Sequence, residues 1–343
     1  MKGKHLITGI TGMVGSHLLD YLVENTDEDI IGICRWRSPL NNIKNHLDKA
    51  NSNNSRIIFD YGDLNDLSSL IRIISKYKPT FIYHLAAQSY PQTSFTAPID
   101  TLNTNIIGTM NLLEAIRLCE GEDNSYKPKI HICSSSEVFG RVPKSRVPIV
   151  EDELFHPASP YAISKAGTDL IGRYYGEAFG MKTVVTRMFT HTGPRRGDVF
   201  AESSFAKQIA LIEKNHIEPI IRVGNLESLR TYADVRDAVK AYFMLINSNY
   251  ANGEYFNIGG SYTCTVGDML NTLISMSTYT GKIQIVVEEK RLRPIDADLQ
   301  VPCIDKFVQH TGWRPEIAFE KTMKDLLDYW RCEINNLDNH LVR

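Results

Sequence analysis

Tyr161 and Lys165, in the run Tyr161-Ala162-Ile163-Ser164-Lys165, stand one helical turn apart on one face, so an ammonium can lie beside a phenol. Its charge favours phenolate and lowers a pKa that is ordinarily near ~10, which makes the tyrosine a usable base near neutrality. Chance and surface pairing produce this spacing too; the preceding Ser159-Pro160 turn and a place after the fifth expected strand give it meaning. Near the N-terminus, Gly9, Gly12 and Gly15 of Gly9-Ile10-Thr11-Gly12-Met13-Val14-Gly15 follow a strand-like segment and open a helix. Missing side chains let the backbone approach a pyrophosphate, and the helix N-terminus offers N–H groups and partial positive charge. A tight strand-to-helix turn with no ligand is the alternative.

Between these signals lies Ser134-Ser135-Ser136-Glu137. The hydroxyls of Ser135 and Ser136, at a strand end, should point at whatever occupies the crevice, although serines there also form turns. Glu137 is a carboxylate at the carboxyl end of a central strand, costly unless it faces the cleft or is paired. A functional role is expected for it, with an N-cap or salt bridge as the alternative. In an NAD site an acidic residue ends the second strand. Here the strand ends Cys34-Arg35-Trp36-Arg37, and a guanidinium suits a 2′-phosphate, which points to NADP. Solvated loop charges are the other reading of Arg35 and Arg37. Asp63, followed by Leu64 after the third strand, is placed to meet an adenine ring, or to cap a helix starting at Leu64.

The elements that must hold these groups follow from hydrophobic periodicity. Short apolar runs at 5–8, 30–34, 57–59, 81–85, 130–133 and 183–187 read as strands. Helical spacing marks 12–24, 64–76, 101–118 and 161–179, with Pro79 and Pro128 stopping two of these before the next strand. The expected fold is α/β, a doubly wound parallel Rossmann sheet with a smaller, mixed C-terminal substrate lobe, whose ligands sit at the carboxyl ends of the strands. Residues 1–188 with 233–261 form the dinucleotide-binding part, and 189–232 with 262–343 the smaller lobe. The return at 233–261 rests on a helix at 235–246 followed by an apolar strand at 255–258.

At 343 residues and net charge −2, bulk electrostatics suggests no nucleic-acid or membrane partner. Six cysteines lie scattered without metal-ligand spacing, so no metal is expected and the thiols read as reduced and cytoplasmic. The N-terminus lacks the apolar stretch of a signal peptide, and no run reaches the ~18 apolar residues of a membrane span.

Taken in order, the motifs make the chain resemble the extended short-chain dehydrogenase/reductases, and among them the GDP-mannose 4,6-dehydratases and GDP-6-deoxymannose reductases, over essentially its full length. The residues that carry this are the glycine turn, Leu85-Ala86-Ala87-Gln88-Ser89, Ser134 to Gly140, Ser159-Pro160-Tyr161 with Lys165, His191 to Gly197, Gly224 to Arg230, and Arg293-Pro294. The resemblance implies an NADP-dependent dehydration of a GDP-linked manno-configured sugar, mannose or a manno-heptose. The position of Tyr161 then takes the C4 hydroxyl proton as a hydride leaves C4, that of Glu137 removes the C5 proton, water leaves C6 and the hydride returns there. Ser135, where the dehydratases usually have threonine, would polarise the C4 oxygen. Lys165, His191 and Arg196 would contact cofactor, with Gly9, Thr11, Gly12, Met13, Val14, Gly15, Arg35, Asp63, Leu64, Leu85, Ala86, Ala87 and Gln88. Ser89, Ser135, Ser136, Arg230 and Arg293 would meet substrate, with salt bridging as the alternative for the arginines. A homodimer or homotetramer is expected by analogy, with residues 35–41 near a subunit contact.

Thr190 where the family usually has asparagine and Phe139 for a common tyrosine depart from the pattern and, with Ser135, fall where C6 and its substituents should lie; the run 231–237 leans toward the reductases, whereas Pro194-Arg195-Arg196-Gly197 and the Arg35 loop lean toward the dehydratases. A C4 dehydrogenase or 4-keto sugar reductase, which runs half the reaction and survives loss of Glu137, is the second reading. A non-catalytic dinucleotide-binding protein is the third.

Overall fold

The computed structural model describes residues 3–52, 55–292, 295 and 297–341, excluding the side chains of 337–341. Strands and helices alternate from the start: β1 (Lys4–Thr8), α1 (Met13–Asn25), β2 (Asp29–Cys34), α2 (Lys44–Ala50), β3 (Ile57–Tyr61), α3 (Leu67–Tyr77) and β4 (Phe81–His84). Three helices, α4 (Pro91–Thr96), α5 (Pro98–Leu102) and α6 (Gly108–Glu122), precede β5 (Lys129–Cys133), α7 (Pro160–Phe179) and β6 (Lys182–Met188). Then come β7 (His191–Thr192), α8 (Ala201–Glu213), β8 (Ile220–Val223), β9 (Leu229–Asp234), α9 (Val235–Asn247) and β10 (Glu254–Ile258). The chain ends through β11 (Tyr262–Thr265), α10 (Val266–Ser275), β12 (Gln284–Val287), β13 (Leu299–Gln300), α11 (Asp305–Thr311) and α12 (Phe319–Leu341).

Seven strands pair in the order β10-β6-β5-β4-β1-β2-β3, all parallel. Both faces are covered, which is why these strands read as nearly continuous apolar runs. Ile7, Ile30 and Tyr83 pack on one face with Leu18, Leu22 and Leu245. Leu6, Ile31 and Ile130 pack on the other with Ile73, Leu112 and Ile116. Strand order reverses between β1 and β4, so a crevice opens at their carboxyl ends.

A smaller body adjoins that end. There β9 lies between antiparallel β11 and parallel β13, β7 also pairs with β9, and β8 pairs with β12. Phe205, Ile209, Leu270, Leu273, Met323 and Leu326 form its own core. Phe307 and Trp313 pack instead with Phe256 in the core of the large sheet.

Two expected helices are differently built. The segment 101–118 is broken by a π-helical stretch, Asn103–Ile107, between α5 and α6. There the Asn105 carbonyl accepts from the hydroxyls of both Thr109 (2.5 Å) and Thr168 (3.0 Å), and such bulges gather at functional sites. The helix expected from Leu64 begins at Leu67, because Asp66 is its N-cap and accepts from the Ser68 N–H at 3.1 Å. Asp63 is therefore not the cap; its Oδ1 accepts from the Asn65 N–H at 2.9 Å.

Candidate active site

A cavity of about 980 Å³ lies at the β1/β4 switch point, between the large sheet and the smaller body. At one end the chain leaves β1 through Gly9, whose φ of +72° a side chain tolerates poorly. A Cβ on Gly9 would lie 2.8 Å from Ala86, and one on Gly15 would lie 2.3 Å from the Gly9 carbonyl oxygen. Gly12 occupies the N-cap of α1 and brings no side-chain cap. Thr11, Gly12, Met13 and Val14 line the cavity there, so the first N–H groups of α1 open onto it. The donor set and the close backbone fit a dinucleotide pyrophosphate.

Arg35, exposed at the end of β2, lines the same end with Asp63, Leu64, Leu85, Ala86, Ala87 and Gln88. Arg37 is exposed and does not line it. The Leu85 and Ala86 N–H groups each donate to Thr8 Oγ1 at 3.1 Å, which ties the β4 end to β1.

At the centre, β5 ends at Cys133 and the chain turns through a 3₁₀ stretch, Ser136–Val138. Ser135 Oγ accepts from the Glu137 N–H at 3.2 Å, and the Ser135 hydroxyl is near enough to the Tyr161 phenol to act on its charge. Tyr161 sits in the first turn of α7, which Ser159 caps by accepting from the Ala162 N–H and Pro160 opens. Ser135, Ser136, Glu137, Tyr161 and Lys165 all line the cavity, as does Ser89 at its exposed edge.

The electrostatics differ from what the Tyr161–Lys165 spacing implies. Burial pushes the Tyr161 phenol above its ordinary value; the Ser135 hydroxyl and the nearby Arg196 charge oppose this only partly. Lys165 Nζ points to the Cys133 carbonyl, donating at 2.7 Å, and burial lowers its pKa. In the protein alone the tyrosine is thus a neutral phenol. Burial also lowers His191 to about 4, with Arg196 adding to the effect, so its ring is neutral; Nδ1 contacts the Phe189 carbonyl oxygen at 3.0 Å.

On the far wall, Arg230 Nη1 lies 3.6 Å from Glu137 Oε1, so the carboxylate both faces the cleft and has an ionic partner. Arg196 stacks over Phe200 and lies 3.5 Å from Glu202. Arg293 lies outside the described residues, as does Pro294. Lys290 and Arg291 do line the cavity, and Arg291 Nε donates to Glu288 at 2.8 Å.

Sequence reading passed over three groups. Asn105 bonds the Gln88 N–H at 2.8 Å, the Gln88 carbonyl at 2.9 Å and Ser164 Oγ at 2.8 Å, which ties the cofactor-side loop to α7. Asn42 donates to the Thr11 carbonyl at 3.0 Å and lines the cavity. Glu202, a buried carboxylate at the cavity, stands in the first turn of α8, where an acid reads as ordinary dipole complement.

A family model described as GDP-mannose 4,6 dehydratase matches residues 6–326. The GDP-mannose 4,6 dehydratase of Drosophila melanogaster is 32% identical over 94% of this chain and 84% of that protein. The GDP-mannose 4,6-dehydratase of Vibrio cholerae is 30% identical over 100% of this chain and 99% of that protein. Among solved structures, RMD from Pseudomonas aeruginosa complexed with NADPH is 25% identical with a TM-score of 0.78, over 97% of this chain and 100% of that one. A UDP-glucose 4-epimerase of Thermotoga maritima with UDP-glucose is 26% identical with a TM-score of 0.81, over 96% and 99% of the two chains.

Proposed function

The chain belongs to the GDP-mannose 4,6-dehydratase family, and on that premise we infer that it converts a GDP-linked, manno-configured sugar to its 4-keto-6-deoxy form with NADP as cofactor. The sugar is GDP-mannose or a GDP-manno-heptose. The observation that carries the reading is the convergence of Ser135, Glu137 and Tyr161 on one cavity whose other end is the glycine turn.

NADP, when bound, supplies a hydride acceptor for C4 and the same hydride for C6, so the reaction is redox-neutral. Tyr161 takes the C4 hydroxyl proton, and the Ser135 hydroxyl beside it steadies the C4 oxygen as a carbonyl forms. Because burial keeps the phenol neutral, the phenolate that accepts this proton forms only when further positive charge enters the site and lowers the pKa. The C4 ketone makes the neighbouring C5–H acidic, and Glu137 removes that proton. Glu137 passes that proton to the C6 hydroxyl, which leaves as water, and as the hydride returns to C6 a proton, equivalent to the one Tyr161 took and exchangeable with solvent, is restored at C5. Arg230, with the Lys290–Arg291 pair beside the cavity, would hold the diphosphate, and Arg35 a 2′-phosphate.

Residues 1–188 with 233–261 are read as the part that carries the dinucleotide, and 189–232 with 262–343 as the part that closes over the GDP-sugar, apart from α11 and Trp313. We also propose a cytoplasmic homodimer or homotetramer. Support comes from free cysteines, and from exposed Ile99, Ile107 and Met110 along α5 to α6 beside exposed Ile163, Leu170 and Tyr174 on α7. No helix of the described residues is long and apolar enough to cross a membrane.

The test is incubation with GDP-mannose and, separately, GDP-manno-heptose in heavy water without added NADPH. Water loss with deuterium at C5 is expected from one of them. Turnover only with an external oxidant, or with a 4-keto sugar plus NADPH, would replace this reading by the half-reaction enzyme.

A further inference from the structure

The loop that carries Arg196 turns through Gly193-Pro194-Arg195-Arg196, closed by the Arg196 N–H donating to the Gly193 carbonyl at 3.3 Å. Proline at the second position and a left-handed residue at the third are what a type II turn requires, and glycine is the residue that meets the second demand without strain. Here the third residue is Arg195, with φ +68°. A non-glycine residue persists in that region only where its surroundings over-determine it.

What over-determines it is Asp20, two turns into α1. Its Oδ2 lies 2.6 Å from Arg195 Nη1, and its Oδ1 lies 2.6 Å from His46 Nε2 on α2. His46 is buried, and both partners of the Arg195 pair are largely so. Although burial alone would raise its pKa, these two contacts hold the Asp20 carboxyl below the ordinary range. The carboxylate thereby joins two pieces of the cavity wall, α1, whose first turn faces the pyrophosphate end, and the turn that presents Arg196, to α2, which follows the Arg35 loop.

We propose that Asp20 is a positioning residue for dinucleotide binding, which holds the Gly193–Arg196 turn in its left-handed form through the Arg195 side chain. This rests on the reading that the cavity takes NADP. The Arg195 side chain serves as the tether, and Arg196 on the next position is the group delivered to the cavity.

Backbone conformation and charge separate in the variants. Arg195→Gly loses the tether but adopts φ +68° freely, whereas Arg195→Ala loses the tether and keeps the strain. Calorimetric NADP titration is expected to give Arg195→Gly an affinity close to wild type. Arg195→Ala and Asp20→Asn should bind about tenfold more weakly, the factor that the left-handed penalty converts to. Asp20→Asn combined with Arg195→Gly should recover most of the loss. Amide hydrogen exchange of residues 193–197 in the protein without NADP should rise in Arg195→Ala and Asp20→Asn alone.

Equal weakening in Arg195→Gly and Arg195→Ala would overturn the proposal, because the guanidinium itself would then be what binding needs. Undiminished NADP affinity in Arg195→Ala would overturn it as well, and this variant carries the test if Asp20→Asn does not fold. Failure of the wild-type protein to bind NADP would instead overturn the cofactor reading, and the exchange comparison would still decide whether Asp20 holds the turn.

Discussion

Arg230 Nη1 faces Glu137 Oε1 across the cavity at 3.6 Å, so the guanidinium proposed for the diphosphate and the carboxylate proposed as C5 base are neighbours in the protein alone. A bound diphosphate competes for that guanidinium, and drawing it away frees the carboxylate to meet the sugar. Glu137→Gln should therefore lose deuterium incorporation at C5 and slow water loss by about 10²- to 10⁴-fold, with NADP affinity unchanged. Arg230→Ala should chiefly raise KM for the GDP-sugar. Isotope incorporation followed by mass spectrometry, alongside initial rates, checks both; Glu137→Gln turning over normally would remove the proposed base.

Arg35 directly follows β2 at the exposed edge of the cavity, where an NAD site would carry an acid. Charge-assisted bonds to a 2′-phosphate are worth about 1.5–3 kcal/mol. Arg35→Ser should thus weaken NADP by roughly 10- to 100-fold and leave NAD affinity nearly unchanged. The ratio of the two dissociation constants is the measurement, since a general loss of structure would lower both.

Arg187 is buried on β6 and bonds Asp169 twice, at 2.8 and 3.0 Å, and the Glu151 carbonyl at 2.6 Å. Its guanidinium also lies against Phe139, Phe155 and Tyr255, which fixes the turn just beyond Glu137. Asp169→Ala leaves a buried cation without its counter-charge and should cost about 3–5 kcal/mol. A urea unfolding midpoint within error of wild type would contradict this.

Four histidines are held neutral, chiefly by burial: His17 and His191 at about 4, His84 and His131 at about 3, against 6.5. The unfolded chain binds protons below 6.5 that the fold refuses, so stability is intact above that pH and falls as pH drops toward the folded values. At pH 5 each group costs about 2 kcal/mol. The urea midpoint should fall between pH 7 and pH 5, and His131→Gln should reduce that slope. An unchanged slope would show that His131 is not one of its sources.

By itself the sequence determined the parallel sheet, the glycine turn and the span of α7, because all three rest on local rules. Buried parallel strands must be apolar runs, a pyrophosphate turn must lack side chains, and Ser159-Pro160 supplies an N-cap and a first-turn proline directly ahead of a segment with helical spacing. The family motifs, read in order, led to the same GDP-sugar chemistry as the comparisons. Tertiary structure decided what depends on neighbours distant in the chain. The Tyr161 phenol is raised because burial outweighs nearby positive charge, and Lys165 is turned to Cys133; neither is visible in a four-residue spacing. The break at 103–107 is bonded by Thr168, more than 60 positions away, and the Glu137–Arg230 and Asp20–Arg195 pairs join segments far apart in the chain, one of each pair from the smaller body. Periodicity reports which face of an element is buried, whereas the state of a charge depends on everything that surrounds it, and only the folded chain assembles those surroundings.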